Sequence, residues 1–245
     1  MIDTAALASP FFYAVRAELD QLGGRHDLIA LNGLAERRGV RTRFVAPPAE
    51  LSAVEYETAI AATGEVPTRD NAHDFFNALQ WLAFPQTKAA INAGHLRHMA
   101  PATVPRPVAR DVLTMVDESG VMVASADPSL LDLLRDFQWR ALFVDRRDDV
   151  IARMRFALLG HGLMEKALAP FIGLTGKAIL LHVDDDAPLD AAASHWLQDE
   201  ANLVSSRTLA PLPLLGIPGW DARSECPEFY DDTGYFRPGR RDRVR

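Results

Sequence analysis

Apolar positions recur at helical spacing along most of the chain. After Ser9-Pro10, the residues Phe11, Phe12, Val15, Leu19 and Leu22 predict a helix that Gly23-Gly24 stops. A second amphipathic helix is expected over residues 28–38, closed by Gly39. A short strand over 43–45 and a short helix over 56–62 follow. Two helices are predicted over 70–83 and 85–99, with Pro85 suited to the first turn of the second. Residues 100–110 carry three prolines and read as an extended connection. Runs at 112–116 and 121–124 flank Asp117-Glu-Ser-Gly120 and predict a β-hairpin with glycine at a positive-φ position. Beyond it the pattern predicts a helix over 130–137, a strand over 141–144 and a long helix over 150–168. A buried strand over 177–183 and a last helix over 189–203 complete the series. Neither a repeat nor a low-complexity linker divides the chain. The expected architecture is a helix-rich α+β single domain over 1–245 with a few short strands, a helix-rich α/β arrangement being the alternative.

Three of these helices carry polar residues on stripes where solvent is not expected. At 100° per residue, His73, Asp74, Asn77, Trp81 and Phe84 gather on one face, opposite Ala72, Phe75, Leu79 and Leu82. A solvated face has no need of Trp81 and Phe84. That face is therefore expected to be covered, leaving its polar groups in want of partners. The competing reading gives Asp74 a role at the positive end of the helix. In the next helix Lys88, Asn92 and His95 share the apolar stripe of Ile91 and Met99. A buried lysine is paired or loses its charge, and helices locked through Asn and His are the alternative explanation. In the third, His161 and Glu165 stand four apart among apolar residues on both sides, with Gly160 and Gly162 flanking the histidine. That spacing lets two side chains share a metal ion or a proton, or form a plain buried hydrogen bond.

The composition is ordinary for a globular chain, at 48% hydrophobic and 24% charged residues. Charge narrows the functional classes further. With 26 basic and 33 acidic residues the net charge is −7, which disfavours a nucleic-acid binder. Five arginines and one aspartate over 237–245 make that tail +4 and leave −11 for the rest. Just before it, Phe229, Tyr230, Tyr235 and Phe236 place four of 20 aromatics in eight residues, so the 229–245 segment is expected to dock in its first half. No window is apolar enough to span a bilayer, and Asp3 stands where a signal peptide would be cationic, so a cytoplasmic protein is expected. The single Cys226 makes no intramolecular disulfide and has no activating local setting. Phosphate-binding glycine loops, G-x-S-x-G and H-E-x-x-H are absent, and Asp184-Asp-Asp186 lacks the spacing of a calcium loop.

The long stretch from Pro67 to His95 resembles the bacterial domain of unknown function 3025 family. The likeness continues at Gly160-His161 with Glu165, at Pro218-Gly-Trp220, at Phe229-Tyr-Asp-Asp232 and at Phe236-Arg-Pro238. The resemblance implies a bacterial cytoplasmic protein and one domain unit. It brings no activity, cofactor or catalytic residue with it.

The residues themselves support two classes of function. In the first, the chain is an enzyme or small-ligand binder, most concretely a metal-assisted hydrolase. His73, Asp74, His95, His161 and Glu165 form its metal or acid–base cluster, and Arg69, Asn77, Lys88 and Asn92 bind and orient substrate. A divalent metal held by His73, His95, His161 and Glu165 requires at least three such groups to converge on one point. In the second class the polar groups are structural, and the aromatic segment and basic tail serve a partner. Oligomeric state, reaction and substrate are left open.

Overall fold

The computed structural model describes residues 5–100 and 105–239. Two short 3-10 turns, Ala6–Ala8 and Pro10–Val15, lead into α1 (Arg16–Leu22) and α2 (Leu28–Arg38). β1 (Arg43–Val45), α3 (Ala53–Thr63) and β2 (Glu65–Pro67) follow, the two strands pairing in parallel. Next come α4 (Ala72–Ala83) and α5 (Pro85–Arg97), then α6 (Val108–Ser119), β3 (Gly120–Ser125) and α7 (Pro128–Arg135). The C-terminal half holds α8 (Arg147–Arg153), β4 (Arg155–Leu158), α9 (His161–Ala167), β5 (Thr175–His182), α10 (Leu189–Gln198) and β6 (Ala210–Pro213). The result is a helix-rich α+β fold, as the pattern predicts.

A four-stranded sheet in the order β4-β3-β5-β6 organises the second half. β3 and β5 run parallel in its centre, and β4 and β6 flank them antiparallel. All six residues of β3 are buried, as expected of a strand covered on both faces. Side chains from nearly every element join one hydrophobic cluster. In the C-terminal segment Phe229, Tyr230, Tyr235 and Phe236 contact one another, and the Tyr235 hydroxyl donates to Leu174 O at 2.7 Å. Of the basic tail, residues 240–245 lie outside the described residues, as do Asp3 and residues 101–104 of the expected extended connection.

Four predicted elements are corrected. The 112–116 run is no strand but the middle of α6, so no hairpin forms. Its apolar residues Ala109, Val112, Leu113 and Val116 already follow the helical spacing i, i+3, i+4, i+7, which outweighs the strand propensity of its valines. α6 begins at Val108, inside the stretch expected to be extended. Residues 141–145 form a π-helical turn instead of a strand. The long helix over 150–168 divides into α8, β4 and α9, because the edge of β3 offers pairing from Val121–Leu158 to Ala124–Arg155 that local periodicity cannot reveal. β2, β4 and β6 have no counterpart in the sequence pattern.

Two glycines make the junction between these corrected elements. Gly120 has φ −67°, not the positive value of a hairpin turn, and a side chain there would stand 2.3 Å from Val116 O. A Cβ on Gly160 would lie 2.4 Å from Ser119 N and 2.5 Å from Gly120 N. The start of α9 therefore nests directly on the α6–β3 turn, which is what brings His161 to the end of α6.

Candidate functional site

α4 is started by Asn71, whose side chain accepts from Asp74 N at 2.8 Å and so satisfies one of the free amides of the first turn. That start sets His73 on the first turn, facing α9. Asp74, Asn77, Trp81 and Phe84 are all buried, so the face is covered as the amphipathic pattern requires. His161 is the first residue of α9, and Glu165 stands one turn further on. Asp117 and Glu118 lie in the last turn of α6.

These three helix ends form one arrangement with an internal repetition. His73 turns Nε2 toward Glu118 Oε1 at 3.9 Å, and His161 turns its own Nε2 toward the same oxygen at 3.4 Å. Each Nδ1 faces a different carboxylate: His73 Nδ1 is 3.1 Å from Glu165 Oε2, and His161 Nδ1 is 3.8 Å from Asp117 Oδ2. The two imidazoles meet edge to face with centroids 4.4 Å apart. One ligating atom from each of His73, Glu118 and His161 lies within 4.8 Å of the others.

Electrostatics favour a cation here. Lys88 is buried and ion-paired with Asp117. With neutral imidazoles, three carboxylates (Asp117, Glu118, Glu165) and one ammonium (Lys88) sum to −2. The His161 imidazole beside Glu118 holds that carboxyl below its usual range. Burial alone would raise Asp117, but Lys88 and His161 reverse the direction and keep it low. The ring of His161 is buried and its Nδ1 has no hydrogen-bond partner, a cost that persists in native structures at sites with a function or a missing ligand.

The cluster opens into a cavity of about 530 Å³ whose wall includes His73, Asp117, Glu118 and His161, a size usual for small-molecule sites. Tyr56, Asn77, Arg69 and Asp74 also line it, together with the apolar Pro47, Pro48 and Leu51. Arg69 grips Asp74 with two bonds of 2.9 and 3.0 Å, and its backbone N–H adds a third at 2.7 Å. Burial pushes Asp74 up, and these donors bring it below its ordinary value. Asn77 Nδ2 donates to the Tyr56 hydroxyl at 2.8 Å, which leaves that hydroxyl its own proton to donate. The other end of the amide, Asn77 Oδ1, is buried without a partner.

The remaining sequence candidates occupy other places. Lys88 supports Asp117 from behind and does not reach the cavity wall. Asn92 donates to Glu57 O and Oε2 at 2.9 and 2.6 Å, inside the α3–α5 contact. His95 joins neither imidazole among the described residues. It is buried with Nδ1 unpartnered, and burial lowers its pKa to about 4. Glu165 faces His73 from behind and is not one of the three converging groups. The residue that takes the third place, Glu118, and its neighbour Asp117 lie where the sequence pattern predicts the tip of a hairpin. One signal could have found them. Once α6 is seen as a helix, two consecutive acids sit in its last turn, the end where the helix dipole disfavours negative charge.

The family described as "Protein of unknown function (DUF3025)" matches residues 42–240, a stretch that includes every site residue named above. No curated protein and no solved structure matches the chain. Among the described residues no helix is long and apolar enough to cross a membrane.

Proposed function

The chain belongs to the DUF3025 family, and we propose that it is a metal-dependent hydrolase of a small polar substrate, with His73, Glu118 and His161 as ligands to one divalent transition ion. The observation that carries this reading is the repeated pattern in which both Nε2 atoms face Glu118 while each Nδ1 faces its own second carboxylate. Metal-binding histidines characteristically donate their other N–H to a carboxylate, which fixes the tautomer and aims the free nitrogen. The spacing suits an ion: ligand atoms about 2.1 Å from a tetrahedral centre stand about 3.4 Å apart, the separation found between His161 Nε2 and Glu118 Oε1. A small rotation of the partly exposed His73 ring closes its longer gap.

Two histidines and one carboxylate leave open positions on the ion, and such a centre lowers the pKa of bound water to about 7. The protein's own groups supply the rest. Glu165 holds the His73 imidazole through Nδ1 at 3.1 Å, Asp117 places its charge 3.8 Å from His161 Nδ1 without a hydrogen bond, and Lys88 keeps Asp117 ionised and in place. Tyr56 has a hydroxyl proton to give to a substrate oxygen, and Asn77 Oδ1 accepts from a substrate N–H or O–H. Asp74, bound on three sides by Arg69, orients that loop instead of exchanging protons.

The test is metal content and activity measured together. The purified protein should bind about one equivalent of zinc, manganese or iron(II). H73A, H161A and E118Q should each lose it and lose hydrolysis across a panel of p-nitrophenyl esters, phosphates and anilides. Failure of all three metals to bind refutes the metal reading. A metal-free ligand site is the second reading, favoured by the unpartnered Asn77 Oδ1 in the cavity wall.

A further inference from the structure

We propose that the substrate taken by the cavity beside the histidine cluster is an uncharged amide, read by Asn77 and Tyr56 as a hydrogen-bond donor next to an acceptor. The inference rests on the reading that this cavity is the substrate site, and it narrows the class of substrate. Asn77 comes from α4 and Tyr56 from α3, and both line the cavity. Of the eleven residues of α3 only Ile60 is buried, so the wall that carries Tyr56 is held by few apolar contacts and yields as a ligand enters.

The bond between the two side chains fixes what each has left to offer. Asn77 Nδ2 donates to the Tyr56 oxygen at 2.8 Å, so the hydroxyl proton is not used within the pair. Burial, reinforced by the Asp117 carboxylate, pushes the pKa of that hydroxyl up, and it stays a donor. Asn77 is 9% exposed and its Oδ1 has no partner. A buried acceptor left unmet costs about 1–3 kcal/mol, and an absent ligand is one of the reasons a native structure keeps one. An amide answers both atoms at once, its N–H donating to Asn77 Oδ1 and its carbonyl oxygen accepting from Tyr56. An ester or a phosphate diester has no proton for Oδ1.

Charge supplies the second, independent observation. Asp74, Asp117 and Glu118 line the cavity against one cation, Arg69. Asp74 takes that charge through bonds of 2.9 and 3.0 Å to the guanidinium, so the wall holds no cation free of a counter-charge for a carboxylate or phosphate. A divalent ion would cancel the −2 that Asp117, Glu118, Glu165 and Lys88 carry together. The occupied site is then neutral, and a charged ligand would enter it uncompensated. Pro47, Pro48 and Leu51 contribute apolar wall, which suits an amide with an apolar substituent.

Benzamide, N,N-dimethylbenzamide, methyl benzoate, benzyl alcohol and benzoate are the probes, titrated by ligand-observed NMR against the full chain with and without zinc. Benzamide should bind saturably at one site, and each of the others at least about tenfold more weakly, the loss of one stabilising contact. The quantity to follow is the ratio of benzamide to N,N-dimethylbenzamide affinity, at least about ten in the wild type. In N77A it should fall to about one, because the N–H has lost its acceptor, whereas a loosened fold would weaken both probes alike. Y56F should keep the preference for the N–H yet weaken both amides about tenfold, and it carries the test if N77A does not fold. The wild-type ratio must persist in metal-stripped protein. A preserved ratio with no zinc bound overturns the metal reading alone, and zinc binding with a ratio near one overturns the amide alone. No saturable binding of benzamide, or equal binding of benzyl alcohol or benzoate, also overturns the proposal.

Discussion

Gly160 and Gly162 stand two residues apart at the start of α9, and substituting each by alanine should have opposite consequences. A Cβ at Gly160 meets backbone, 2.4 Å from Ser119 N and 2.5 Å from Gly120 N, atoms fixed by the α6–β3 junction. Neither can yield without moving a strand, so G160A should cost about 1–3 kcal/mol, the usual range for overpacking a tight contact. A drop of about 2–4 °C in melting temperature per kcal/mol is expected for a chain of this size. A Cβ at Gly162 instead meets Glu118 Oε2 at 2.4 Å, the end of a rotatable side chain, with the nearest backbone atom at 3.2 Å. Glu118 can swing aside, and alanine is favoured over glycine in a helix by at most about 1 kcal/mol. The fold of G162A should therefore stay within about 3 °C of wild type. Its cost falls on the site, because Glu118 Oε1 is the atom both imidazoles face. Displacement of groups that orient a metal site typically costs about 10–100-fold in affinity, so G162A should lose at least that much in a zinc competition titration with a chromogenic chelator. Wild-type zinc affinity in G162A, alongside a clear loss in E118Q, would refute the claim that contact with α9 aims this carboxylate.

Three further outcomes are expected. D117N leaves Lys88 buried without its counter-ion; breaking a buried pair costs about 3–5 kcal/mol, and the double variant D117N/K88M should recover much of the loss in urea denaturation. His95 is held at about 4 against 6.5 in the unfolded chain. Because its folded pKa is depressed, the unfolded state takes up the proton first, and stability should fall by up to about 3 kcal/mol between pH 6.5 and 4. H95Q should flatten that part of the profile, and an unchanged slope would show that His95 is not its origin. Tyr235→Phe removes both the bond to Leu174 O and the acceptor for Leu215 N at 3.0 Å, and should cost about 1–3 kcal/mol in thermal melts at constant pH.

Much of the fold was legible locally, where a helix carries its own signals. Asn71 before α4, Pro85 in the first turn of α5 and glycines in left-handed geometry after α1, α2 and α3 end or start those elements within the chain itself. Two segments carry competing local signals. The valines of 112–116 suggested a strand although their spacing was helical, and the helical spacing of 150–168 concealed a strand that exists because β3 is there to pair with it.

By itself, the sequence determined that the polar residues on the apolar stripes of α4 and α5 are inside: Asp74, Asn77, Lys88, Asn92 and His95 are all buried, because helical periodicity assigns each a face whatever lies opposite, whereas Glu165, expected to be buried with His161 in one long helix, is exposed on α9. The partners were decided only by tertiary structure. His73 meets Glu165 and Glu118 from helices far apart in the chain, Lys88 meets Asp117, Asn92 meets Glu57, and His95 is left aside. The physical reason lies in scale. A stripe on one helix is set by 100° steps within a dozen residues, whereas convergence of three helix ends depends on close approaches, such as Gly160 onto the Ser119–Gly120 backbone, whose counterparts cannot be known until the chain has come together.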